Sequence, residues 1–255
     1  MTGARVPLLG LGVWQTAAGH ETEQAVEWAL EAGYRHIDTA SLYRNERSVG
    51  AALARSGLPR EEVFVTTKLM PVRPSAEREL QRSLERLGLE YVDLYLIHFP
   101  VTGTVGRHWK ALESLQERGL ARAVGVSNFG RDRLRRLGGV KPAANQVQLS
   151  PFHYRRALLD YCAEQGIVVV AYSPLERGRA LGDPTVDAVA ARIGRTPAQV
   201  MLRWALQRGA VVIPKSSNRE RIRENARIFD FELDADAMRE LDALDTTGGT
   251  AKARF

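Results

Sequence analysis

The chain has 255 residues, 44% hydrophobic and 26% charged, with a net charge of +6 and a pI near 9.7. Its one cysteine, Cys162, excludes an internal disulfide framework and any multi-cysteine zinc or iron–sulfur centre. The basic balance favours anionic partners, but the cations are dispersed. The densest stretch, Arg131, Arg133, Arg135 and Arg136, reads as a solvated helix face, and no zinc finger, RNP-type aromatic pattern or basic tail points to nucleic acid.

The opening MTGARVPLLGLGVW lacks a basic region followed by a long apolar core, so no secretory leader is expected. No apolar run approaches the ~20 residues of a membrane span. The expected setting is cytoplasmic, with the chain a monomer that has neither membrane nor nucleic-acid partners.

Short strand-like runs alternate with longer helix-like ones. Strands are expected at Tyr34–Asp38, Val63–Lys68, Val92–His98, Ala123–Ser127, Asn145–Leu149, Ile167–Tyr172 and Ala210–Pro214, with a weak eighth near Arg227–Phe229. Helical spacing appears at Glu21–Ala32, stopped by Gly33, and at Ser75–Leu87, where Leu80, Leu84 and Leu87 form one stripe before Gly88. Pro197–Gln207 follows Thr196 as N-cap, with proline in the first turn. Strand–helix alternation predicts parallel strands. Eight units in a chain of this length predict an α/β fold of the (β/α)8 TIM-barrel type, one domain over 1–255 with a loose tail at 246–255. A doubly wound sheet would carry Gly-x-Gly-x-x-Gly after its first strand; Gly10-Leu-Gly12 precedes the first expected strand and has Gln15 in the third glycine's place.

Three consecutive strands end in Asp38, Lys68 and His98. Strand C-termini form the rim where barrel active sites assemble, so these groups are expected to share one mouth. Tyr43 lies five residues beyond Asp38 and can fold back over that rim. A lysine ammonium within ~4–6 Å stabilises a phenolate and can lower the phenol's pKa by about one to three units, while a carboxylate keeps the lysine charged. The expectation is an acid able to protonate an oxygen near neutral pH. Further on, Lys215-Ser216-Ser217-Asn218 sits between a strand and the helical Arg219–Ala226, a setting suited to an anion.

Several stretches are similar to aldo-keto reductases: GYRHIDTASLYRNE (Gly33–Glu46), TTK ending at Lys68, DLYLIHFP ending at Pro100, GVSNF (Gly125–Phe129), NQVQLSP (Asn145–Pro151), VAYSPL (Val170–Leu175) and IPKSSNRERIRENA (Ile213–Ala226). They run in order from about Leu8 to Leu244, most like bacterial 2,5-diketo-gluconate and methylglyoxal reductases. The resemblance implies that Tyr43 donates a proton to a carbonyl oxygen, that Lys68 paired with Asp38 tunes it, and that His98 orients the substrate. It implies NADPH as hydride source and no metal. Ser127, Asn128 and Gln146 would hold the nicotinamide carboxamide, and Tyr172 would stack under the ring. Ser173 and Leu175 would open a loop over the pyrophosphate, with Arg177 adding a charge contact. Lys215, Ser216 and Arg221 would grip the 2′-phosphate, and Glu224 and Asn225 would meet the adenine. Trp14, His98 and Phe99 would line the substrate pocket.

Some residues depart from that pattern. Phe99 stands where many members have tryptophan, Val13 where threonine is common, and the loop Pro100–His108 is short. With no long closing loop after Leu244, small carbonyl substrates and broad tolerance are expected. A non-catalytic NADPH-binding regulatory module on the same fold is the alternative. Trp109 reads as core, Cys162 as a buried inert thiol, and His20 and His153 have no partner pattern. HETEQ is not a zinc-binding HExxH, nor GVSNF a nucleophile elbow.

Overall fold

A computed structural model of the chain describes residues 5–247. Eight parallel strands pair in chain order: β1 (Leu11–Gly12), β2 (His36–Asp38), β3 (Phe64–Leu69), β4 (Val92–Ile97), β5 (Ala121–Ser127), β6 (Ala144–Gln148), β7 (Val168–Tyr172) and β8 (Ala210–Val212). The sheet then closes on itself. Leu9 bridges Val212, Gly10 N–H donates to the Val212 carbonyl at 2.9 Å, and Gly12 N–H donates to that of Pro214 at 3.1 Å. The result is a (β/α)8 barrel.

Helices cover the barrel: α1 (His20–Glu31), α2 (Glu46–Arg55), α3 (Ala76–Leu87), α4 (Val105–Glu117), α5 (Arg131–Arg136), α6 (Arg156–Gln165), α7 (Pro184–Ile193), α8 (Pro197–Gln207), α9 (Arg219–Ala226) and α10 (Ala235–Asp242). The local signals read from the sequence operate as expected. Ser75 caps α3 by accepting the Arg78 N–H, and Gly88 ends it in the left-handed region at φ 66°. Thr196 and Gln199 form a reciprocal capping box on α8. The Gln199 amide also donates to the carbonyls of Glu224 and Arg227, which ties α9 to α8.

Alternating strand residues sort into two apolar layers. Ile37, Val65, Tyr95, Ile97, Val124, Val126, Val147, Val169 and Ala171 belong to the large core between strands and helices. Phe64, Leu94, Leu96, Ala144, Val170, Val211 and Ile213 form a smaller cluster inside the barrel. Trp109 and Cys162 are buried, and desolvation pushes the Cys162 thiol up to about 11, as befits an inert group.

Two expectations need correction. Arg227–Phe229 is no strand: it links α9 to α10, and its buried Ile228 gives its carbonyl to Arg203 rather than to a sheet. The missing strand is Leu11–Gly12, invisible because two residues leave no apolar run. Gly12 and the preceding Gly10 are required by packing: a Cβ on Gly10 would lie 2.7 Å from the His36 ring, and one on Gly12 2.9 Å from the Ile213 carbonyl oxygen. The loop after β4 also ends earlier than expected, because α4 begins at Val105 and takes in His108. Of the expected tail, Thr246 bonds the Phe152 carbonyl through both its N–H and its hydroxyl, and residues 248–255 lie outside the described ones.

Candidate active site

Strand periodicity carries the inner layer upward into polar residues. Asp38 stands two positions beyond His36, Lys68 four beyond Phe64, His98 two beyond Leu96, Gln146 two beyond Ala144 and Tyr172 two beyond Val170. Each therefore repeats the inward parity of its strand at the C-terminal end. Register brings them level, since Lys68 pairs with Leu96, Ser127 with Gln146, and Gln148 with Tyr172.

Asp38 and Lys68 are almost wholly buried and form an ion pair at 2.6 Å. Lys68 Nζ also donates to the Thr39 carbonyl at 2.8 Å and reaches the Tyr43 hydroxyl at 3.4 Å. The second Asp38 oxygen accepts from Gln146 Nε2 at 2.7 Å. Tyr43 is presented by a single 3-10 turn, Ser41–Tyr43, pinned where the Ser41 hydroxyl donates to the Lys68 carbonyl. Behind the turn, Asn45 donates to the Val13 carbonyl and accepts from Thr39, while Glu46 accepts from Thr67 and Arg86.

The electrostatics differ from the sequence expectation at one point. Burial pushes Tyr43 above its ordinary 10; the Lys68 ammonium pulls it down, but the Asp38 carboxylate pushes it up again. The net shift is upward, because burial is the largest influence and Asp38 offsets part of the lysine's pull. For Lys68, burial acts to lower the pKa, yet Asp38 and Tyr43 hold it above its ordinary value. Burial, aided by Lys68, keeps His98 neutral by driving its pKa far down. The His98 ring stacks on Phe99 at 4.3 Å and meets Tyr43 edge-on at 5.7 Å, and its buried Nδ1 has no hydrogen-bond partner.

These groups open onto a cavity of about 860 Å³. Asp38, Tyr43 and His98 line one region, with Trp14 and Phe99 beside them. The wall continues through Ser127, Asn128, Gln146, Tyr172, Ser173, Leu175, Arg177, Lys215, Ser216, Arg221, Glu224 and Asn225. Lys68 does not line it: it lies behind Tyr43, fully buried.

Several wall residues already hold one another. The Tyr172 hydroxyl donates to Asn128 Oδ1 at 2.9 Å, and Asn128 Nδ2 donates to the His98 carbonyl and the Ser127 hydroxyl. The Ser127 hydroxyl donates to the Gln146 carbonyl. Glu224 accepts from the Thr196 hydroxyl at 2.6 Å. Asn218 caps α9 through the Arg221 N–H, and exposed Lys215 lies 4.0 Å from Glu21.

The sequence reading missed some members. Thr39 contributes a carbonyl to Lys68 that no side-chain pattern reveals. His153, read as partnerless, faces Glu176 at 3.1 Å through Nδ1. Among the described residues no group of histidine, cysteine and acidic side chains could hold a metal ion, and no helix is long and apolar enough to cross a membrane.

Residues 8–246 match the profile of the Aldo/keto reductase family. The chain is 47% identical to the 9,11-endoperoxide prostaglandin H2 reductase of Trypanosoma cruzi, over 94% of this chain and 88% of that protein. It is 44% identical to the glyoxal reductase of Bacillus subtilis, over 95% and 90%. Among solved structures, an aldo/keto reductase from Brucella melitensis superposes with a TM-score of 0.90 at 41% identity, covering 95% of this chain and 96% of that one. Barrel, site geometry and sequence similarity agree, and the chain belongs to the aldo/keto reductase family of oxidoreductases.

Proposed function

We propose that this chain reduces small aldehydes, 2-oxoaldehydes such as methylglyoxal, or keto-sugar acids to alcohols with NADPH, in the cytoplasm and as a monomer. The observation that carries the reading is the continuous run from Asp38 through Lys68 to the Tyr43 hydroxyl, opening beside a neutral His98 on one cavity. The similarity to a protein named glyoxal reductase supports the choice of substrate class.

NADPH suits the chemistry of the wall. Lys215 and Arg221 supply two cations for a 2′-phosphate, which a plain ribose hydroxyl would not need. The Tyr172 ring gives a flat face for a nicotinamide. Gln146 gives its amide N–H to Asp38, which leaves its side-chain oxygen Oε1 to accept from a carboxamide, with Ser127 and Asn128 alongside. Ser173, Leu175 and Arg177 would cover the pyrophosphate, Ser216 would join the phosphate grip, and Glu224 and Asn225 would meet the adenine. When bound, NADPH supplies the hydride.

The chain's own residues then do the rest. Tyr43, held neutral by its raised pKa, carries the proton destined for the carbonyl oxygen. Lys68 stands 3.4 Å away to stabilise the phenolate left behind, and Asp38 keeps Lys68 charged. Neutral His98 hydrogen-bonds the carbonyl oxygen without competing as an acid, and Phe99 fixes its ring plane. Trp14 and Phe99 favour compact apolar substituents.

The test is Tyr43→Phe. NADPH oxidation with methylglyoxal should fall by about a thousandfold, with NADPH affinity nearly unchanged. Retained turnover would remove Tyr43 from this role. NADPH binding by the wild-type protein without turnover of any aldehyde, ketose or keto acid would favour the non-catalytic regulatory module.

A further inference from the structure

We propose that Glu176 is a positioning residue: it anchors the segment after β7 so that Arg177 is held against Trp14, and it thereby slows escape of the dinucleotide. The kinetic half of this rests on the cavity being the NADPH site; the anchoring half rests on geometry alone.

The segment is unusual in its backbone. Ser173, Glu176 and Arg177 all lie in the left-handed region, at φ 48°, 49° and 57°, and none is glycine. Such a conformation persists only where the surroundings over-determine it. Backbone bonds within the segment, such as Glu176 N–H to the Ser173 carbonyl at 3.0 Å, close its turns, and the Glu176 carboxylate ties it to its neighbour. The carboxylate accepts from the Ser150 hydroxyl at 2.5 Å, from Gln148 Nε2 at 3.3 Å to each oxygen, and from His153 Nδ1 at 3.1 Å. All three donors belong to the end of β6 or the turn that follows it. The segments after β6 and β7 are thus stapled by one acidic side chain, itself only 15% exposed.

The next residue reaches the other way. The Arg177 guanidinium lies 4.6 Å from the centroid of the Trp14 ring, and Trp14 follows β1. Since β8 stands between β7 and β1 in the barrel, this contact crosses the end of β8, where Pro214 and Lys215 line the cavity. Ser173, Leu175, Arg177 and Gly178 also line that cavity, whereas Glu176 does not. Glu176 therefore acts through Arg177. An anchor on one side and a cation stacked on an aromatic ring on the other make a bridge whose opening requires both contacts to be considered together.

The experiment compares wild type, Glu176→Ala, Glu176→Gln, Arg177→Ala and the Glu176→Ala/Arg177→Ala double variant as full chains. NADPH dissociation is followed by stopped-flow fluorescence, and tryptic cleavage after Arg179 is followed in cofactor-free protein, with circular dichroism as the check on folding. Glu176→Ala should raise the NADPH dissociation rate about tenfold, and the double variant should exceed neither single variant by more than about twofold, as coupled residues require. Cleavage should also quicken about fivefold or more, following the population of the opened segment. Glu176→Gln, which keeps one acceptor oxygen, should fall between. A dissociation rate in folded Glu176→Ala within about twofold of wild type, or fully additive effects in the double variant, would overturn the proposal. Should the alanine variant not fold, the glutamine variant is held to the same criteria. A wild-type protein that binds no NADPH overturns the cofactor assignment instead, and the anchor then stands or falls on the cleavage rates.

Discussion

Gln146 Nε2 donates at 2.7 Å to the Asp38 oxygen that Lys68 does not use, so one carboxylate is held between an amide and an ammonium. The two contacts fix the carboxylate plane, and with it the position of Nζ beside Tyr43. Gln146→Glu would set a second carboxyl against the first. Two carboxylates at that distance disfavour joint ionisation, so the new side chain should take up a proton more readily than an ordinary glutamate. Once protonated it can donate as the amide does. The expected outcome is a loss of turnover of about tenfold or more at pH 8 that shrinks as pH falls. A kcat profile parallel to wild type at all pH values would show that Gln146 does not act through Asp38.

Tyr43 stays protonated in the free protein, since burial and Asp38 outweigh Lys68 and raise its pKa. A difference ultraviolet titration between wild type and Tyr43→Phe, without cofactor, should show no phenolate from this residue below pH 10. A phenolate signal centred near pH 8 would restore the simpler picture of a cation acting alone.

Lys215→Ala should weaken NADPH about tenfold and NADH by less than about threefold, in line with one charge-assisted contact to phosphate. Fluorescence titration with each nucleotide reads this directly. An equal loss for both would place Lys215 away from the 2′-phosphate.

Acid should weaken the fold through its inner histidines. Desolvation lowers His36 from 6.5 to about 4; its Nε2 meets Thr66 Oγ1 at 3.0 Å and its ring packs edge-on against Phe64. Between those values the unfolded chain binds a proton that the folded one refuses, so stability is full above about pH 6.5 and declines as pH falls towards 4. The shift corresponds to roughly 3 kcal/mol at the lower end. Melting temperatures across this window should fall more steeply for wild type than for His36→Asn; parallel curves would assign the acid sensitivity elsewhere.

Gly125→Ala tests the packing of the lumen. A Cβ there would lie 2.5 Å from the Ala144 carbonyl oxygen and 2.8 Å from Leu96 Cδ2. The backbone must shift to admit it, and a loss of about 1–3 kcal/mol is expected in denaturant unfolding. An unchanged midpoint would mean that β5 and β6 can separate freely.

Much of this architecture is legible in residues that combine period and punctuation. Apolar runs of five to seven residues marked seven of the strands, and polar residues ending them, such as Asp38 and Lys68, marked the rim. What the sequence hides has physical causes. Leu11–Gly12 is too short and too glycine-rich to show a pattern, whereas the apolar Ile228 segment imitates one. The upward shift of Tyr43 depends first on how deeply its hydroxyl is buried and then on how far Asp38 offsets Lys68, a matter of ångströms rather than residue types. His153 and Glu176 meet because two loops converge, across 23 positions that carry no periodic signal.

The seam between Leu9 and Val212 has one more implication. It joins positions roughly 200 apart, and contacts of such separation are costly to form and come late in folding. The cleft borrows walls from both sides of that seam, Trp14 from one and Lys215 from the other. During biosynthesis the cavity therefore stays incomplete until the chain beyond β8 has left the ribosome, so the site can form only once the ring of strands has shut.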